Sequence, residues 1–291
     1  MTVLRENRLY RRSRTWFLAL ALATLAGTGP ASAQIAGGLD RKSGTIEIEA
    51  AEGIEWLRDE KVYIARGDAH AISGDLEVFA DIMKAHYRSD QGGNEIHLIE
   101  LDGNVRLKTP DETAYGDHAS YTLEEEILVL TGDSLRLESN NGPDRLTARD
   151  ALEYHQKRRI AIARGNARIF REGRDVSADL LIAYFSPGAQ GELGIERVEA
   201  EGRVQIRSKG DYATGDDAVY YVREERATIR GNVKITRGDH QLTGGLGEVN
   251  LATGMSRLTG ATSGDGKKER VKGLILPRAV SNDGDDQSPS Q

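Results

Sequence analysis

Apolar and polar residues alternate with a period of two over most of the chain. Ile99, Leu101, Gly103, Val105 and Leu107 alternate with Glu100, Asp102, Asn104, Arg106 and Lys108. Val198 to Arg207 and Ala227 to Thr236 repeat the pattern. Successive side chains of a strand point to opposite faces, so this pattern predicts strands with one apolar and one wet face. In each run a glycine stands in phase with the apolar residues: Gly103, Gly202 and Gly231. Glycine inside a strand permits a bend or a close backbone approach. It therefore reads as the corner at which each strand folds over in a curved or rolled sheet. At Gly132 and Gly165 the alternation breaks down, and a hairpin turn competes with that reading.

The glycines form an internal repeat. Gly67, Gly103, Gly132, Gly165, Gly202 and Gly231 are each followed by a polar residue, and Gly165, Gly202 and Gly231 lie 98 or 99 residues after the first three. Ala65-Arg66-Gly67-Asp68-Ala69 aligns with Ala163-Arg164-Gly165-Asn166-Ala167. Self-similarity at a fixed interval marks a repeat architecture. Turn clusters at Asp90 to Asn94, Ser139 to Asp144 and Arg171 to Arg174 separate the runs, and short turns join antiparallel neighbours. Helical signal is confined to Asp150–Lys157, a stretch that fits a strand and hairpin turn equally well.

The first residues read as an export signal rather than as fold. Arg5, Arg8, Arg11, Arg12 and Arg14 precede an apolar stretch from Trp16 to Ala26, and Ala31-Ser32-Ala33 supplies small residues for cleavage. Residues 1–33 are thus expected to be a signal peptide, 34–43 a linker, 44–262 the repeat domain, and 263–291 a polar tail with a last strand at 271–276. The signal holds five of the 39 basic residues and one of the 46 acidic ones, so the remainder is more acidic than the whole chain's net −7. That balance argues against nucleic acid, whose binding rests on Lys and Arg neutralising phosphates. The chain has no Cys, so packing and backbone ladders, not disulfides, hold an exported fold.

Catalytic motifs are weak. Gly132-Asp133-Ser134-Leu135 spells a serine-esterase signature, but none of the six His has an Asp three positions before it to complete the proton relay. The segment also aligns with Gly231-Asn232-Val233-Lys234, which has no nucleophile, so it reads as a repeat glycine before a strand. Zinc and calcium spacings are missing, as are phosphate loops, and no cofactor or catalytic residue is expected. Glu124-Glu125-Glu126 reads as a solvated charge run at a turn.

The apolar face remains to be explained. It comprises Ile46, Ile48, Val62, Ile64, Val78, Leu101, Val105, Leu107, Ala119, Tyr121, Val204, Ile206, Ala218, Tyr220, Ile229, Val233 and Ile235. Two readings stand side by side: an ordinary sandwich core, or a slot lined by aliphatic groups with room for acyl chains. Each buried methylene contributes about 0.8 kcal/mol, so a twelve-carbon chain gains on the order of 8–10 kcal/mol before ordering costs.

The recurring Ala-Arg-Gly-Asp/Asn-Ala segments resemble the OstA-like family of periplasmic lipopolysaccharide transport proteins. So do Asp102-Gly103-Asn104-Val105-Arg106-Leu107 and the paired Thr113–Asp117 and Tyr212–Asp216 segments, over roughly Gly44 to Thr262. The resemblance implies an all-β open jellyroll whose groove takes the acyl chains of lipid A, with no catalytic residue. It also implies head-to-tail stacking of subunits and a place between an inner-membrane LptC-like protein and an outer-membrane LptD-like protein. A scaffold of the same fold that binds only protein partners is the alternative, and a polysaccharide-acting enzyme a more distant one.

Overall fold

The computed structural model describes residues 47–90, 93–171, 174–187, 193–208, 211–250, 253, 255–260 and 270–274. The expected signal peptide, linker and polar end of the tail lie outside these residues. Eighteen strands run through them and no helix. The first half contains β1 (Glu47–Glu49), β2 (Gly53–Leu57), β3 (Val62–Ser73), β4 (Leu76–Asp90), β5 (Gly93–Lys108), β6 (Glu112–Thr122), β7 (Ile127–Thr131) and β8 (Arg136–Ser139). The second contains β9 (Arg145–Thr147), β10 (Ala151–His155), β11 (Ile160–Arg171), β12 (Arg174–Pro187), β13 (Leu193–Ser208), β14 (Asp211–Tyr221), β15 (Arg226–Arg237), β16 (His240–Asn250), β17 (Met255–Thr259) and β18 (Lys272–Leu274). The ambiguous Asp150–Lys157 stretch is strand β10 and its turn, and β18 falls within the last strand expected at 271–276.

Consecutive long strands pair antiparallel from β3 to β6 and from β11 to β16. Each bends once in the middle, giving two arms. Where the bend is a break, two short strands share one long partner: β1 and β2 on β3, β7 and β8 on β6, β9 and β10 on β11, β17 and β18 on β16. The 98-residue repeat maps β9 and β10 onto β1 and β2. The halves join where β7 pairs with β10 and β8 with β9. After β15, strand β16 takes the place of a first strand in a third, incomplete unit.

The repeated glycines are the corners. Pairing slips by one residue between Arg66 and Ala69, Asp102 and Val105, Arg164 and Ala167, Glu201 and Val204, and Arg230 and Val233. In each case the slip spans a Gly and its polar follower. Such a bulge bends a strand and adds twist. Gly165 is therefore a corner inside β11 and not a hairpin turn, whereas Gly132 sits at the break between β7 and β8. Gly231 (φ 70°) and Asn232 (φ 48°) both take the left-handed conformation. A Cβ on Gly231 would lie 2.1 Å from Asp216 Oδ2, and that carboxylate accepts from Asn232 Nδ2 at 2.9 Å. Each corner glycine meets an acid in this way, Asp81, Asp117, Asp179 and Asp216 on the preceding strand and Glu52 and Asp150 in the breaks before β2 and β10. Gly231→Ala thus combines a left-handed Ala with a collision, and a loss of about 2 kcal/mol is expected in chemical denaturation. Asp216→Ala in the same chain removes the two shortest contacts and leaves the Asp216 Cβ at 2.8 Å, so it is expected to recover part of that loss.

Candidate functional site

Burial of alternate residues closes the two arms on each other. Ala65, Met83, Leu101, Ala119 and Leu130 from the first arm and Leu76, Val78, Ala80, Val105 and Leu107 from the second form one cluster in the first unit. A matching cluster in the second unit includes Leu181, Ala200, Val204, Ile206, Ala218, Tyr220, Ile229 and Val233. Leu152, on the joining strand β10, packs against both, so the apolar interior is continuous through the two units.

The structure places most of the apolar face inside. Val78, Leu101, Val105, Leu107, Ala119, Tyr121, Val204, Ile206, Ala218, Tyr220, Ile229 and Val233 are buried in these clusters, and Ile235 packs against the second. The twelve buried ones run from 0% exposure at Val233 to 7% at Val78 and Ile229, and Ile235 is half-buried, so in this conformation the twelve pack inside the clusters. Burial raises the Tyr220 hydroxyl pKa to about 12, as a desolvated interior requires. Val62 and Ile64 correct the expectation. Both are buried, but they alternate with Tyr63 and Ala65 and lie outside both clusters, on the opposite face from the interior. Ile48 is 41% exposed at the edge, and Ile46 lies outside the described residues.

At the lip of the second arm the inward row turns polar. Glu112 opens β6 opposite Ser139, and Asp144 pairs with Arg171 Nε at 3.0 Å. Burial, and secondarily Asp111, pushes the Glu112 carboxyl up to about 7. Neither the lip nor the corner acids stood out from sequence, although Asp117 and Asp216 lie in the aligned Gly-Asp pairs. Ser134 of the esterase-like segment is exposed just after the β7 break, where the Asp133 N–H donates to Asp117 Oδ2 at 2.7 Å. The segment works as a corner.

The ends of the stack form the second feature. Among the described residues, the large apolar side chains left exposed are Ile48, Ile54, Trp56 and Ile72 at one end and Leu242, Met255, Val271 and Leu274 at the other. Among the described residues β1 and β2 pair only with β3, and β17 and β18 only with β16, so each end is an edge, a template for a further strand. The internal joint shows how such an edge is filled. There Leu152 pairs with Leu130 and Tyr154 with Leu128. Their counterparts one repeat earlier are Ile54 and Trp56, 56% and 48% exposed.

Comparison with known proteins agrees with this division. The family model described as LptA/(LptD N-terminal domain) LPS transport protein matches twice, at residues 47–149 and 147–255, meeting at the joint. Among solved structures, the chain is similar to LptH of Pseudomonas aeruginosa, described as the LptA-homologous periplasmic component of the lipopolysaccharide transport device. The identity is 11%, 82% of this chain and 99% of that one are covered, and the TM-score is 0.20. Among curated proteins none matches significantly.

Proposed function

Because the chain belongs to the LptA/(LptD N-terminal domain) family of lipopolysaccharide transport proteins, we propose that it is a periplasmic carrier holding lipid A acyl chains between its two arms. The observation that carries this reading is the apolar interior running unbroken through both units and ending in apolar edges at each end. Loading requires the arms to part, since their inner side chains fill the space between them. Each acyl chain replaces apolar contacts with apolar contacts, so no positioned polar group is needed. The sugar and phosphate head stays at the polar lip.

The same reading gives the ends a task. An incoming edge strand pairs with β2 as β7 pairs with β10, which stacks subunits head to tail and joins the stack to LptC-like and LptD-like partners of the same fold. Heterologous contacts of this kind extend into filaments. Ile54→Asp puts a charge on the exposed edge and is expected to abolish concentration-dependent assembly in light scattering, with the melting temperature unchanged. Assembly equal to that of the parent chain would exclude this edge.

The packed interior favours a second reading, a scaffold that binds protein partners through its ends without lipid. Mass spectrometry of organic extracts from the full chain, purified from its export compartment, separates the two. Stoichiometric lipid A supports the carrier; a lipid-free chain that still assembles supports the scaffold.

A further inference from the structure

On the outer face of the second arm, the first unit carries a row of five planar side chains, where the second unit has isolated pairs, Arg145 over Phe170 and Arg207 over Tyr212. His70, Phe79, Arg106, Tyr115 and Arg136 are cross-strand neighbours on β3, β4, β5, β6 and β8. His70 lies parallel to Phe79 at 4.3 Å. The Arg106 guanidinium sits 4.4 Å over the Phe79 ring and that of Arg136 3.8 Å over Tyr115. The corresponding positions in the second unit are Arg168, Ser177, Gln205, Thr214 and Lys234, with no aromatic ring. Nothing in the repeat's folding therefore demands the stack.

Beside it lies a cavity of about 560 Å³, within the range that holds small ligands. Its lining includes donors, namely the Arg106 guanidinium and the hydroxyls of Tyr115 and Ser134, with Arg136 already donating to Glu138 Oε1 and the Ser134 carbonyl. It also includes the carboxylates of Asp68, Asp81 and Asp117, of which Asp81 accepts from Asn104 Nδ2 and Asp117 from the Asp133 N–H, each keeping lone pairs for a ligand. A phosphate would face three carboxylates. An apolar ligand would strand donors and acceptors alike. A sugar hydroxyl both donates and accepts, so adjacent hydroxyls satisfy both kinds of group together, and stacking on the rings holds each guanidinium in place beforehand. We propose that this cavity binds a neutral, hydroxyl-rich saccharide. The site lies outside the apolar interior and does not depend on lipid transport.

The test is amide-resolved NMR titration of the full chain with two saccharides: the delipidated core oligosaccharide of lipopolysaccharide, and the linear glucan maltoheptaose. Inorganic phosphate serves as a third probe. Saccharide is expected to shift the amides of Arg106, Tyr115 and Ser134. Arg106→Ala and Tyr115→Ala are each expected to weaken binding about tenfold, as loss of a charge-assisted hydrogen bond or its support does. Lys234→Ala, at the matching place in the second unit, leaves affinity unchanged. Binding of the core oligosaccharide alone assigns the site to the lipopolysaccharide glycan; binding of both assigns it to saccharides generally. The proposal is overturned if neither saccharide moves these amides, if phosphate moves them and sugars do not, or if both folded variants bind as the parent does.

Discussion

Val233→Asp is expected to cost about 4 kcal/mol or more, enough to leave much of the chain unfolded at room temperature. Val233 has 0% exposure and packs inside the second unit's cluster, paired with Gly244 on β16, where a Cβ on Gly247 would lie 3.7 Å from its Cγ1. The next residue on its face of β15 is the apolar Ile235, and the neighbouring Lys234 alternates with it onto the exposed face. A carboxylate there must either stay charged in an apolar interior or take up a proton against its ordinary pKa, and either course destabilises the fold. Lys234→Asp, one residue away on the exposed face, is expected to change stability by less than about 0.5 kcal/mol. Circular dichroism across a urea series reads both. Equal midpoints for the two variants would mean that the alternation does not sort this strand into an inner and an outer face.

The second large effect is a pH dependence carried by Glu112. Its folded pKa is about 7 against the ordinary 4.5, so the folded state holds this proton more tightly than the unfolded one. The stability it contributes is fully present below about pH 4.5 and is lost as pH rises through 7. The span of two to three units corresponds to roughly 3 kcal/mol. Glu112→Gln, neutral at every pH, is expected to remove that decline and to raise the urea midpoint at pH 8 while leaving pH 4.5 little changed. The informative quantity is the difference between variant and parent. A constant difference across pH 4.5–8 would show that the carboxyl is ionised in the folded chain.

How much of this was legible in the sequence follows from what a period of two can report. Alternation such as Leu101, Val105 and Leu107 against Asp102 and Lys108 identified strands and their inner face, and the 98-residue interval identified two units. The interval also placed the corners, because the glycines at Gly103, Gly202 and Gly231 kept phase with the apolar residues. Phase failed at the starts of β3 and β11. There Val62 and Ile64, like Ile160 and Ile162, are apolar on the outward face and Ala65 and Ala163 are the inward residues. Two adjacent apolar rows carry no parity, so at β3 the pattern favours the larger Val62 and Ile64 over Ala65. Cross-strand partners were invisible for a different reason. The stack of His70, Phe79, Arg106, Tyr115 and Arg136 draws one residue from each of five strands, and register, not spacing, brings them together. The exposed ends were equally hidden, since Ile54 and Leu152 occupy the same repeat position and differ only in having a partner strand.

Photocrosslinking inside cells compares Ile235, which packs against the interior, with Lys234, which faces out on the same strand. A photoreactive residue at 235 is expected to yield adducts with lipopolysaccharide, and the same group at 234 none. Adducts to protein alone at 235, or lipid adducts of equal yield at both positions, would contradict a carrier that takes acyl chains between its arms.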